Sequence, residues 1–247
     1  MDKELFQQVC DEVIGRQQGL NGIGTLGEKT IHSVLKCYLS PECDHQEIKV
    51  SGFVADICNG HEIIEIQTRN FDKLRRKLNA FLSLYPVTIV YPIHSTKWIR
   101  WVNPQTGEIS PPRKSPKRGI PYSILPELYK IKNFLLEPNL NLHIVMLDLE
   151  EYKYLDGWSK DKKKGSTRCD GIPTDLVNEI KINNISDYKL LIPDILDQEF
   201  TSKDYKKASG LSLHNSQTAL NILNYVGVVE RVGKKGNTYL YNRVSVQ

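Results

Sequence analysis

The sequence has no apolar run approaching the roughly 18–20 residues that a membrane-spanning helix requires, so no membrane partner is expected. It has no internal repeat and no low-complexity tract, which argues against solenoid, fibrous and disordered classes. Its first residues, MDKELFQQVCDE, are acidic and polar and lack the character of a secretory signal. Cysteine is scarce and odd in number: Cys10, Cys37, Cys43, Cys58 and Cys169, with no Cys-x-x-Cys pair. That argues against a secreted disulfide framework and for a reducing, cytoplasmic compartment. It also denies Cys37, Cys43, His45 and Cys58 the paired spacing of a zinc site. Neither sign of charge dominates: 33 Lys and Arg stand against 29 Asp and Glu, a net +4.

What is present is a chain long enough to bury a core, 40% hydrophobic and 25% charged. The basic residues are clustered, at 113–118 (RKSPKR), at 160–164 (KDKKK) and at Lys234–Lys235, each in a stretch that reads as loop. Singly such a run is a solvated loop; three together suit phosphate contacts.

Apolar spacing predicts a helix over 27–38, with Ile31, Val34 and Leu35 inward. Strand-like runs at 53–58 and 61–68 flank Asn59-Gly60, a type I′ hairpin signal. An amphipathic helix follows over 71–84, with Leu74, Leu78, Phe81 and Leu82 on one side. Then come a buried strand at 87–93, a strand at 98–102, a helix at 124–136 and a strand at 142–149. Residues 111–121 and 158–171 read as loops. The mixture predicts an α/β domain with a mixed sheet, ending near residue 180, followed by a smaller domain over 186–247.

In that second stretch, Ser186 or Asp187 can cap a first helix and Ser202 a second, with Gly210 as its stop. A third helix runs over 213–225 with Leu213, Leu220 and Leu223 inward and His214, Asn215, Gln217, Thr218 and Asn221 elsewhere. Two strands then flank a basic, glycine-rich tip at 233–237. The stretch TSKDYKKASGLSLHNSQTALNILNYVGVVERVGKKGNTYLYNRV resembles a winged helix-turn-helix. The resemblance implies that the third helix enters a DNA major groove, where His214, Asn215, Gln217 and Thr218 reach base edges, and that Lys234 and Lys235 meet phosphates. A winged helix that mediates protein or RNA contacts is the competing reading.

Glu65 and Gln67 are two apart in HEIIEIQT and share one face of a strand. With a two-residue turn at Asn59-Gly60, Cys58 pairs with His61 and Asp56 falls opposite Ile63, diagonal to Glu65. Two converging carboxylates suit a hard divalent cation through oxygen ligands. Glu28 stands on the core-facing stripe of the first long helix, where a carboxylate requires a partner.

Glu28 on a helix, Asp56 on one strand and Glu65-x-Gln67 on the next resemble the PD-(D/E)XK nuclease superfamily, across roughly residues 25–150. The resemblance implies a restriction-endonuclease-like α/β fold in which Asp56 and Glu65 bind Mg²⁺ or Mn²⁺, Glu28 assists, and DNA phosphodiester bonds are hydrolysed, with a homodimer suited to a double-strand cut. Two departures stand out. Ala55 replaces the proline before the aspartate, and Gln67 replaces the lysine, leaving Lys29, Arg69 or Lys73 to supply the missing charge. A catalytically inactive nuclease-fold DNA-binding or regulatory protein is therefore the alternative.

Overall fold

A computed structural model of the chain describes residues 1–21, 29–156 and 167–244, and the side chains of 16–21, 29 and 167–170 lie outside that description. The fold is mixed α/β. Seven strands form one sheet of order β1-β2-β3-β4-β6-β7, with β5 paired to β4, and three more form a second sheet. The chain divides into two compact units, Met1–Gln46 with Pro92–Gly119 and Val145–Glu179, and Glu47–Tyr91 with Ile120–Ile144 and Ile180–Gln247.

In the first unit, α1 (Lys3–Asn21) packs on α2 (Lys29–Leu39). Phe6, Val9, Cys10 and Val13 recur at helical spacing and are buried, as are Ile31, Val34 and Leu35. Asp2 accepts the Leu5 amide at 2.9 Å and satisfies an otherwise orphaned donor of the first turn. The segments expected as strands 87–93 and 98–102 are one strand, β4 (Val87–Val102). Its distal half pairs with β5 (Arg113–Lys114), so the expected loop at 111–121 is strand in part. Next to β4 lies β6 (Leu140–Tyr154), and β7 (Thr167–Ile182) follows at the sheet's edge. The strand β7 takes up residues 167–171, expected as loop, and the rest of that expected loop, 158–166, lies outside the described residues.

Gly119 lies so close to β4 that a Cβ there would sit 2.3 Å from the His94 carbonyl oxygen and 2.4 Å from Ile93 Cγ2, while its amide donates to the same carbonyl at 2.8 Å. The obstacle is backbone, which cannot rotate away. Gly119→Ala is expected to destabilise the chain by about 1–3 kcal/mol, read as a lower urea midpoint at unchanged slope; an unchanged midpoint would refute the close approach.

In the second unit, β1 (Gln46–Val50), β2 (Phe53–Cys58) and β3 (Ile63–Ile66) are consecutive neighbours. The short helical segment Phe71–Leu74 and α3 (Arg75–Phe81) cross over to the start of β4, which pairs parallel with β3, Ile63 opposite Val87 and Ile66 opposite Val90. Parallel pairing needs such a crossover. Leu74, Leu78 and Phe81 are buried, as the periodicity predicts, while Leu82 is half-buried; Phe71 is buried beside them. All four residues of β3 are buried, the mark of a strand covered on both faces. The expected helix over 124–136 is broken into α4 (Leu125–Leu128) between 3-10 turns Pro121–Ile124 and Tyr129–Phe134. Pro126 falls in the first turn of α4, where its missing N–H leaves no intrahelical bond unmade.

The chain after Ile182 continues in this unit. A 3-10 turn, Ile185–Leu191, is capped by Asn184, not by Ser186 or Asp187; Asp187 completes the capping box. After β8 (Glu199–Thr201), α5 (Ser202–Ser209) is capped by Thr201, one residue before the expected Ser202, and closed by Gly210. Then α6 (Leu213–Tyr225) starts at the Ser212 cap and packs on α5 and α4. The strands β9 (Val229–Lys235) and β10 (Thr238–Arg243) complete a sheet of order β8-β10-β9. Leu220 and Leu223 are buried as expected, whereas Leu213, on the same face seven residues before Leu220, is 38% exposed because it opens the first turn. Tyr205 anchors the group, fully buried with its hydroxyl donating to the Leu191 carbonyl at 2.7 Å.

Candidate functional site, an acidic pair with a helix-borne lysine

The register of the hairpin decides which carboxylates meet. Ile57 pairs with Ile64 and Cys58 with Ile63. The turn therefore spans 59–62, not two residues, and the expected Cys58–His61 pairing does not form. The cause is local: the Asn59 side chain accepts the amides of His61 (3.0 Å) and Glu62 (2.9 Å). A type I′ turn needs positive φ at both central residues, and only Gly60 of the two has it, at 83°. Continuing this register sets Asp56 across from Glu65, not Ile63.

Glu65 is 2% exposed, between Ile64 and Ile66 on the central strand. Burial, and then the charge of Asp56, push its carboxyl up to about 7; Lys77 opposes the shift. Lys77 comes from α3 and donates from Nζ to both Glu65 oxygens, at 3.0 and 2.7 Å. Asp56 accepts the Ile66 amide at 2.8 Å on Oδ2. The result is two carboxylates on adjacent strands with one lysine clamped on the more buried of them. Three residues before Glu65, Glu62 Oε2 accepts from the Thr88 hydroxyl at 3.2 Å.

The other expected residues fall differently. Gln67 lies just past the end of β3, and its side-chain amide donates to the Arg69 carbonyl, so it does not join the acidic pair. Glu28 and the Lys29 side chain lie outside the described residues. Lys73 is exposed, and the charge beside Glu65 is that of Lys77. Sequence reading missed Lys77 because it sits next to Leu78 on a helix judged by its apolar stripe. Its position three residues after Leu74 was the available signal, placing it at the border of the inward face. Among the described residues, no group of three or more His, Cys, Asp and Glu gathers as a metal-holding set.

On α6, His214 and Gln217 are exposed, while Asn215 and Thr218 are half-buried. The Thr218 hydroxyl donates to the His214 carbonyl at 3.1 Å. Asn221 is engaged within the unit, accepting from Lys132 Nζ at 2.9 Å. Lys234 and Lys235 are exposed at the β9–β10 tip. Arg231 stacks over Tyr239 at 4.4 Å, and Lys234 lies 5.3 Å from the same ring. The basic cluster at 113–118 belongs to the first unit, with Lys114 over Trp98 at 5.3 Å, and the cluster at 160–164 lies outside the described residues.

No described helix is long and apolar enough to cross a membrane. Residues 29–183 match a family described as a domain of unknown function, DUF8091. The chain is 28% identical over 222 residues to an uncharacterized protein of Treponema pallidum (strain Nichols), covering 90% of this chain and 87% of that protein. No solved structure matches it.

Proposed function

The chain belongs to the DUF8091 family, and from that premise we propose that it is a DNA-binding protein of PD-(D/E)XK nuclease type that hydrolyses phosphodiester bonds with a divalent cation. The observation that carries this reading is the Asp56–Glu65 pair on adjacent strands with Lys77 on Glu65. The element order supports it too: consecutive strands β1 to β3, a crossover helix and a parallel β4.

The donor chemistry fits Mg²⁺ or Mn²⁺. Asp56 and Glu65 are hard oxygen donors, and the charge of one already raises the pKa of the other, a repulsion that a divalent cation relieves. These two would hold the ion, with Glu28 the third carboxylate by resemblance. Bound there, the ion supplies Lewis acidity toward a phosphodiester. Lys77 favours the ionised form of Glu65 against burial and Asp56, and provides the positive charge that Gln67 cannot, since a glutamine offers only a neutral amide. The burial of β3 on both faces holds Glu65 in one position.

The order 3-10 turn, β8, α5, α6, β9, β10 supports a winged helix that holds the duplex. His214 and Gln217 offer exposed groups to base edges, with Asn215 and Thr218 beside them, and Lys234 and Lys235 meet phosphates. Plasmid incubation tests the enzyme. Wild type is expected to nick or linearise supercoiled DNA with Mg²⁺ or Mn²⁺ and to stop with chelator, and Asp56→Asn to lose at least about a hundredfold in rate. Cleavage by Asp56→Asn at the wild-type rate would sink the site.

The alternative, a silent nuclease scaffold that binds DNA without cutting it, is favoured by one observation. Lys77 already occupies both Glu65 oxygens as a built-in cation. It predicts duplex binding with steep salt dependence, no cleavage, and no rise in melting temperature with Mg²⁺.

A further inference from the structure

Within the second unit, a cleft of about 480 Å³ opens between α3 and the Tyr129–Phe134 turn. Arg75 and Asn79 line one side, and Tyr129, Lys130, Lys132 and Asn133 the other. Arginine and lysine are donors only, and each amide adds two more donor hydrogens. Lys130 is neutralised by Glu127, at 2.8 Å. Arg75 and Lys132 have no carboxylate within ion-pair distance among the described residues; Glu137 also lines the cleft and pairs with neither.

Both uncompensated cations are held in place by neutral groups. Arg75 Nε donates to the Lys130 carbonyl at 2.6 Å, which leaves the outer nitrogens of its guanidinium to a ligand. Lys132 Nζ donates to Asn221 Oδ1 at 2.9 Å and lies 4.4 Å from the Tyr225 ring, so one lysine touches both the cleft and α6. Tyr129, 51% exposed, lines the same cleft. Fixed cations, neutral amides and an exposed aromatic ring together recognise a nucleotide, the phosphate by charge and the base by stacking. The volume lies within the usual range of small-ligand sites.

We propose that this cleft binds a phosphate-bearing nucleotide unit, supplied by a nucleic-acid strand whose neighbouring stretch lies on α6. The proposal rests on the reading that this unit binds DNA. It adds a backbone contact that fixes the strand beside α6 and that neither the acidic pair nor the wing provides.

Fluorescence anisotropy with a labelled 30-base-pair duplex and a labelled single strand, from 50 to 200 mM KCl, tests it, with calorimetric titration of dAMP in parallel. Arg75→Gln with Lys132→Gln is expected to weaken strand binding at least about tenfold and to lower the salt slope by about 1–2. Arg75→Lys with Lys132→Arg, which keeps both charges, is expected to bind within about threefold of wild type. An equal loss in both double variants would mean damaged packing and would overturn the proposal. Unchanged affinity and slope in the glutamine variant would also overturn it, while loss in Lys234→Gln with Lys235→Gln would leave the DNA reading standing. If wild type binds neither strand, the DNA reading fails. In that case dAMP binding that the glutamine variant loses keeps the cleft as a free-nucleotide site, and no dAMP binding overturns it.

Discussion

Replacing Lys77 by alanine is expected to lower the stability of the folded chain by about 1 kcal/mol at pH 8 and to cost little at pH 4. Removing one partner strands the buried carboxylate of Glu65, 2% exposed. The cost stays below that of a fully buried pair because the Lys77 side chain is itself 26% exposed and keeps part of its hydration in wild type. Without Lys77 the two influences that raise the Glu65 pKa, burial and Asp56, act unopposed. The penalty then accumulates above about 7, where Glu65 ionises in the folded wild type, and vanishes below it, where Glu65 is protonated in both folded proteins. Urea denaturation of both proteins at the two pH values measures this. An equal loss at both would show that Lys77 acts by packing alone.

Glu65→Gln is expected to do the reverse, raising stability at pH 8 by about 2 kcal/mol. In wild type the Glu65 carboxyl titrates near 7 when folded, above its ordinary 4.5. Between those values the folded state holds more protons than the unfolded one, so wild-type stability falls as pH rises from 4.5 to 7 and stays low above. Glutamine removes that titration, and the variant's stability should lack this decline. A partly exposed Lys77 without its partner offsets a fraction of the gain. The same variant is expected to lose at least about a hundredfold in metal-dependent cleavage. A substitution that stabilises the fold and abolishes activity marks a carboxylate kept for chemistry. If Glu65→Gln proves less stable than wild type at pH 8, the ion pair is structural and the silent-scaffold reading gains.

The individual elements were legible in the sequence where local periodicity is strong. The inward stripes Ile31-Val34-Leu35 and Leu74-Leu78-Phe81 are buried as their spacing requires. The α6 helix occupies residues 213–225 as read, since Ser212 and the apolar pattern define it within a few residues of chain. Caps were less legible: Asn184 and Thr201, not Ser186 or Asp187 and Ser202, accept the first amides. Several residues that can cap stand side by side there, and the backbone angle that selects one is set by the preceding turn or strand.

The sequence by itself determined that a carboxylate on each of two adjacent strands, Asp56 and Glu65, would lie near each other, because alternation along a strand is a local property. Only the tertiary structure decided how they meet. The Asn59 side chain holds a turn over 59–62 and sets the two acids across from each other. It also decided the cation. Gln67, next to Glu65 by alternation, turns to the Arg69 carbonyl once β3 has ended, and Lys77, twelve residues from Glu65, reaches it from α3. That contact depends on how a crossover helix lies on a parallel strand pair, a distance set by packing between segments and not encoded in the spacing within either one.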